Sequence, residues 1–454
     1  WRMILKSGIR NNHIKWIFTM LPLFVSVLPF VSNIEKVFIL ILISIFLLAS
    51  NIIPAWYTSI LFMTACMIGN IAEKQVILSG ITSGAAWLVI SGVIIGAAVK
   101  HTELDRLLAR FFIPVCMGKY SKVLFGTILL GVILIFLMPS AMGRVVLLLP
   151  ILNALSLELG YEKGSKEWEG IVMSGVLATY IPAFYVLPSN VPNNVFTGAI
   201  LSLYSINISY SRYFLLYFPI LGVGKILILY FTMRLFYRRC KDSICVSKKA
   251  IDITKEQKLL IVLLFITLSF WMTEHIHKVP TGWIGMATAL IVMLPNSNFM
   301  EKQPLRKINF EPFFYVAGII SLGNIAKSSG LANVIAVHLI NIVSLETASA
   351  FNVLTFFVVL CIILGFIVTL PGVPAVVTPL IDNISGVSNV SKTFLCHIEV
   401  IGFSSVFFPF QAPPLMVVLQ NENLSKARMT IYCSIVSAIG LLLLLPLALY
   451  WKML

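Results

Sequence analysis

The chain has 454 residues, 59% of them hydrophobic and 11% charged, and a mean hydropathy of +0.97. Soluble domains carry about 25% charged residues, which excludes water as the solvent for most of this chain, so its length divides into spans of about 20 residues rather than into soluble domains. The net charge of +15 fits the Lys/Arg enrichment of cytoplasmic loops better than it fits nucleic-acid binding, so the expected surroundings are a lipid bilayer and no nucleic acid.

Taken in chain order, Trp1-Arg2-Met3 reads as a clipped beginning. Arg2 to Lys15 is basic and polar, and the apolar run from Ile14 continues past Phe30 with no small-residue cleavage site. That pattern predicts a retained first span rather than a signal peptide. Spans are predicted near 14–32, 37–53, 54–71 and 84–100, followed by a basic amphipathic stretch from Lys100 to Lys122. The apolar stretch Val123 to Glu158 is broken by Pro139-Ser140-Ala141-Met142-Gly143. The next span starts near Glu169 and is broken at Pro188-Ser189-Asn190-Val191-Pro192-Asn193, and a span at 212–236 closes the first half. Tyr237 to Lys258 is a long polar linker.

The second half repeats the plan. Spans are predicted near 257–274, 280–297 and 311–327. A stretch at 346–385 is broken at Thr369-Leu370-Pro371-Gly372, a span at 393–421 is broken at Pro409 to Pro414, and a span at 426–451 ends the chain. Pro54 matches Pro280. Gly96, Lys100, Thr102 and Leu104 match Gly323, Lys327, Ser329 and Leu331. Ser140 with Pro150 matches Thr369 with Pro379, and Pro188 with Pro192 matches Pro409 with Pro413. Four matches in order, at nearly constant offset, point to a duplication. The halves are 1–236 and 259–454, joined by the 237–258 linker.

Basic residues set the orientation. Arg2, Lys6, Arg10 and Lys15 place the N-terminus in the cytoplasm, and the linker, with Arg238, Arg239, Lys241 and Lys248 among its cations, is also inside. Six crossings between them already return the chain to the inside. The broken stretch at 122–160 must therefore re-enter from the cytoplasmic side. The second half then runs inverted, its re-entrant stretch at 346–385 enters from outside, and the C-terminus is external. The expected fold is an all-α polytopic membrane protein with about eleven transmembrane helices and two re-entrant hairpins in an inverted repeat.

Proline and glycine in mid-membrane free backbone groups that lipid cannot satisfy, so such breaks survive only inside protein or beside a wet cavity. One break is an ordinary kink. Two broken hairpins and two interrupted spans at matching places mark a transporter site, where half-helix N-termini direct N–H groups at an anion.

On Trp87 to Leu104 (WLVISGVIIGAAVKHTEL), Phe270 to Pro280 (FWMTEHIHKVP) and the broken segments, the chain resembles the divalent anion/sodium symporter family over nearly its whole length. The resemblance implies secondary active transport of dicarboxylate, citrate or sulfate, with sodium as coupling ion and no organic cofactor. It also implies a homodimer in the cell inner or plasma membrane, in which a transport domain slides elevator-fashion against a scaffold. The family's Ser-Asn-Thr signature, ten residues before a proline, falls on Ser140-Ala141-Met142 and on Thr369-Leu370-Pro371. The hydroxyl is kept in both, and Asn and Thr are replaced in both. The second signature, Thr-Pro-Pro-Asn, falls on Asn190-Val191-Pro192-Asn193 and on Ala412-Pro413-Pro414-Leu415.

The candidate substrate-binding set is therefore Ser140, Ala141, Met142, Gly143 and Arg144 at the first tip, and Thr369, Leu370, Pro371 and Gly372 at the second. The first interrupted span adds Ser189, Asn190, Pro192 and Asn193, and the second adds Gln411, Pro413 and Pro414. Ser140 and Thr369 are also the candidate sodium ligands. Arg144, one helical turn beyond Ser140, is expensive to bury in a membrane and suits a carboxylate or sulfate through its two-pronged guanidinium. His397 and Glu399 lie off one common helix face, near a span end, where solvated placement competes with a proton relay. Glu274 and His275 read as an interfacial span end, and Lys225 as a snorkelling or lining residue. No nucleophile–base pair and no metal-ligand cluster stands out, so a non-transport protein or enzyme ranks below a proton-coupled or exchange-type permease and an anion channel.

Overall fold

The structure is a computed structural model and describes residues 8–50, 52–104, 107, 118–138, 140–242, 253–295, 297–301, 303–306, 308–343, 348–388, 390–421 and 424–451. Pro139, most of the 100–122 amphipathic stretch and the middle of the 237–258 linker lie outside the described residues. Every regular element among the described residues is helical.

Helix starts follow local chemistry. Ser140, Ser165, Ser209, Ser349 and Ser425 each accept a hydrogen bond from the backbone N–H three residues on, and Thr254 forms a capping box with Gln257. Among the described residues, five helices are long and apolar enough to cross a bilayer: Gly84–His101, Tyr120–Leu137, Ala141–Glu158, Tyr210–Phe236 and Ala350–Ile367. The pair Lys426–Leu442 and Leu444–Trp451, bent by 42°, makes a sixth. Ala55–Ile68 and Thr281–Val292 are apolar but shorter. Within Tyr210–Phe236 the turn Phe218–Gly222 is a π-helix, which absorbs Pro219 without ending the span.

Two expectations change in detail. The interrupted spans unwind earlier than their proline clusters suggest. Lys166–Tyr180 stops before Pro182, a 3₁₀ turn follows at Pro182–Tyr185, and Val191–Tyr204 resumes the helix. Lys392–Phe403 stops well short of Pro409, a 3₁₀ turn covers Pro409–Gln411, and Pro413–Asn421 resumes. In the first case two prolines lie in the break. In the second, Ser434 and Ser437 hold the Phe407 and Val406 carbonyls outside any helix. The sequence reading also leaves out the helix Leu331–Val343, whose 13 residues are fewer than a span needs.

The chain divides into two compact units, and each draws on both sequence halves. The first comprises Trp1–Ala86, Val195–Asn207 and Phe310–Phe403. Its core is the close packing of Glu311–Ser328 on Ala55–Ile68. A Cβ at Gly318 would lie 2.2 Å from that of Ser59, so the contact demands glycine. The second broken stretch also belongs here: Ala350–Ile367 packs on Lys392–Phe403 through Gly402, whose added Cβ would lie 2.2 Å from that of Cys361.

The second unit comprises Trp87–Asn194, Ile208–Asn309 and Ser404–Leu454. Tyr120–Leu137 and Ala141–Glu158, the arms of the first broken stretch, both pack on Lys166–Tyr180. Gly131 allows the first approach, because a Cβ there would lie 2.7 Å from the Gly175 carbonyl oxygen. Pro413–Asn421 packs on Ala141–Glu158, and Val223–Phe236 packs on Lys426–Leu442.

Candidate functional site

The second unit holds the first tip and the unwound breaks of both interrupted spans. Ser140 caps the Ala141–Glu158 helix by accepting from the Gly143 N–H at 3.1 Å. Ala141 is buried, and Met142 is 38% exposed. Arg144, one turn in, is fully buried. All three guanidinium nitrogens donate to the protein. Nε reaches Thr179 Oγ1 and Nη2 the Thr179 carbonyl, each at 3.1 Å, and Nη1 reaches the Met138 carbonyl. The Met138 carbonyl lies at the break, where no helix can satisfy it, and Thr179 lies at the end of the Lys166–Tyr180 helix. Arg144 thus ties the tip to the neighbouring unwound segment. Its remaining N–H directions are what it can offer an anion.

The first interrupted span divides its polar groups between frame and opening. Ser189 donates to the Ile135 carbonyl of the tip's first arm at 2.8 Å. Asn193 Nδ2 donates to the Ala183 and Val186 carbonyls at 2.9 and 3.1 Å, closing the 3₁₀ turn, and Asn194 donates to the Pro188 carbonyl at 3.2 Å. Pro192 is buried in the first turn of the resumed helix. Asn190 differs: it is 2% exposed, and its Nδ2 has no partner among the described residues. A buried amide donor left open is costly unless a ligand or water takes it.

In the second interrupted span, Gln411 serves its own turn. Its Oε1 accepts from the Phe407 and Phe408 N–H groups, both at 2.8 Å. Pro414 is buried and Pro413 exposed at the start of the resumed helix. Sequence reasoning undervalued the cluster beside this break. Lys225 is buried and does not snorkel. Its Nζ donates to the Ser404 carbonyl at 3.0 Å and lies 5.3 Å from the centre of the Tyr185 ring, and Tyr185 shares a 2.9 Å hydrogen bond with the Ser404 hydroxyl. Glu274, expected at an interface, is also buried and caps the Tyr210 N–H at 2.8 Å.

The first unit holds the second tip. Thr369 Oγ1 lies 3.1 Å from the Tyr315 hydroxyl. The Gly372 N–H donates to the Thr369 carbonyl at 2.7 Å, and Leu370 is fully buried. Pro371 precedes the short helix Gly372–Val377, which gives way to a 3₁₀ turn at Thr378–Leu380 and a further short helix at Ile381–Val387. Glu399, weighed between solvated placement and a proton relay, is fully buried and accepts from Thr378. No spacing rule would have found this pair, because the two residues lie 21 positions apart on different elements.

Apolar helices broken at polar turns, among them those of Ser140, Asn190 and Thr369, mark an integral, multi-pass membrane protein. The chain belongs to the sodium:sulfate symporter family: the family's "sodium:sulfate symporter transmembrane region" matches residues 11–454. This is the divalent anion/sodium symporter family that the sequence resembles. A Cupriavidus necator protein named only "Membrane protein" is 26% identical over 396 residues, covering 83% of this chain and 76% of the relative.

Proposed function

We propose that this protein is a cation-coupled secondary transporter of a small divalent anion, sulfate or a di- or tricarboxylate. Family membership supports the class. The observation that carries the binding step is the open Nδ2 of Asn190, a buried donor at the start of a resumed helix whose first N–H groups add positive partial charge. Arg144 adds a full charge behind the first tip. We further propose the inverted repeat of 1–236 and 259–454, elevator motion in a homodimer, and a plasma-membrane orientation with the linker inside. Labelling of linker cysteines from one side, with a tag after Leu454 reached only from the other, supports that orientation.

Sodium is the coupling ion that the family suggests, and the second tip suits it better than the first. At the first tip Arg144 lies within a turn of Ser140, and its Nη1 already takes the Met138 carbonyl that a cation would need. At the second tip Thr369 offers a hydroxyl oxygen next to backbone carbonyls. The test is uptake of sulfate, succinate, malate and citrate into proteoliposomes, with sodium or choline outside. Accumulation of one of them by the wild type, weakened at least tenfold in Asn190→Leu, supports the reading. Absence of uptake for every anion under every gradient removes it.

A further inference from the structure

We infer that Glu399 is a proton-binding site built into the second hairpin, and that its carboxyl carries a proton in this conformation. The inference rests on the transport reading only for the use made of the proton.

The carboxyl's partner is a neutral hydroxyl. Thr378 Oγ1 lies 2.9 Å from Glu399 Oε1 and 3.2 Å from Oε2. A carboxylate sharing the one hydroxyl hydrogen between its oxygens and a carboxylic acid returning its own hydrogen to Oγ1 both fit these distances. Burial decides between them: Glu399 is fully buried, and among the described residues no cation is paired with it. An unpaired carboxylate in such a place takes up a proton rather than remain charged.

Among the described residues, the groups around it are neutral or already paired. From Ala350–Ile367 the facing group is Cys361; Gly372–Val377 and Thr378–Leu380 contribute no titratable side chain. On its own helix Cys396 shares the Glu399 face, Lys392 lies on that face two turns away and is paired with Asp382, and His397 lies off it. From Val191–Tyr204 the facing group is Tyr204, whose hydroxyl donates to the Thr378 carbonyl. Ile381–Val387 brings Asp382, already bonded to Lys327 and Lys392, and both ammonium groups rest on the Tyr204 ring. Two lysines on one aspartate leave a net positive cluster one side chain away from the acid.

The site therefore has two arrangements. With the proton on, Glu399 and Thr378 satisfy each other, and the Thr378–Leu380 turn packs closed. When the O–H bond breaks and the proton leaves to water, the carboxylate keeps the electron pair and Thr378 can satisfy only part of it. The turn must then open toward water or toward the lysine cluster. Because that turn is part of the hairpin behind Thr369, proton binding and the state of the second tip are linked.

Glu399→Gln keeps the shape of the neutral acid and removes the titration. In proteoliposomes it should fold with wild-type thermal stability and keep anion exchange at equal pH. It should lose at least tenfold of the sulfate or succinate accumulation driven by an inward proton gradient. Full retention of pH-driven accumulation in Glu399→Gln overturns the inference. Infrared spectroscopy of the detergent-purified wild type provides a readout that needs no substrate. A buried carboxylic-acid C=O band at neutral pH, absent in Glu399→Gln and shifted in Thr378→Val, supports the site, and its absence from the wild type overturns it. If the wild type transports no anion at all, the transport reading fails while the infrared band still decides the proton site.

Discussion

The tips at Ser140 and Thr369 occupy places that the sequence reading pairs, yet their freed backbone is held by opposite means. At the first, a buried cation reaches outward from the helix: Arg144 takes the Met138 carbonyl and both acceptors of Thr179. At the second, among the described residues, a carboxyl and neutral hydroxyls do the work. Tyr315 meets Thr369, and Tyr204 and Glu399 meet the carbonyl and hydroxyl of Thr378. Places that pair in the sequence can therefore differ in their electrostatics. The charged tip is held firmly through a few strong bonds, and the neutral one through weaker bonds that a single proton can rearrange.

Cutting the strong side of this contrast should have the larger effect. Arg144→Gln strands the Met138 and Thr179 acceptors in the interior, and each buried acceptor left without a donor costs about 1–3 kcal/mol. Thermal unfolding in detergent should show a clear fall in stability, and Arg144→Lys should recover only part of it because one ammonium cannot reach three acceptors. An Arg144→Gln protein of wild-type stability that binds anion poorly would instead assign the guanidinium to the substrate.

The neutral bonds should cost far less. Tyr315→Phe at the second tip and Ser140→Ala at the first each remove one neutral hydrogen bond or cap, worth about 1 kcal/mol. The same unfolding measurement should give two small and similar shifts. A Tyr315→Phe loss as large as that of Arg144→Gln would erase the asymmetry between the tips.

Much of the fold was legible because lipid imposes few solutions. Long apolar runs must be helices, serines at their starts cap them, and Pro139, Pro188, Pro371 and Pro409 announce breaks. Those features need only local spacing, and the breaks fell where the prolines indicated, with the unwound segments starting some residues earlier. The family likewise follows from linear pattern, matched over residues 11–454.

What a side chain does inside a break was decided only by the tertiary structure. The sequence offered Ser189, Asn190, Asn193 and Gln411 as equals, but packing assigned Asn193 and Gln411 to their own turns and Ser189 to the Ile135 carbonyl, and left the Asn190 donor open. It offered Arg144 as an anion ligand and set it against Thr179, 35 residues on. Glu399 looked like a residue near a span end, and folding sealed it against Thr378 with no cation beside it among the described residues. The physical reason is common to all three. Secondary structure depends on the identity and spacing of neighbouring residues, whereas the state of a buried polar group depends on which distant atoms the packing brings within about 3 Å of it.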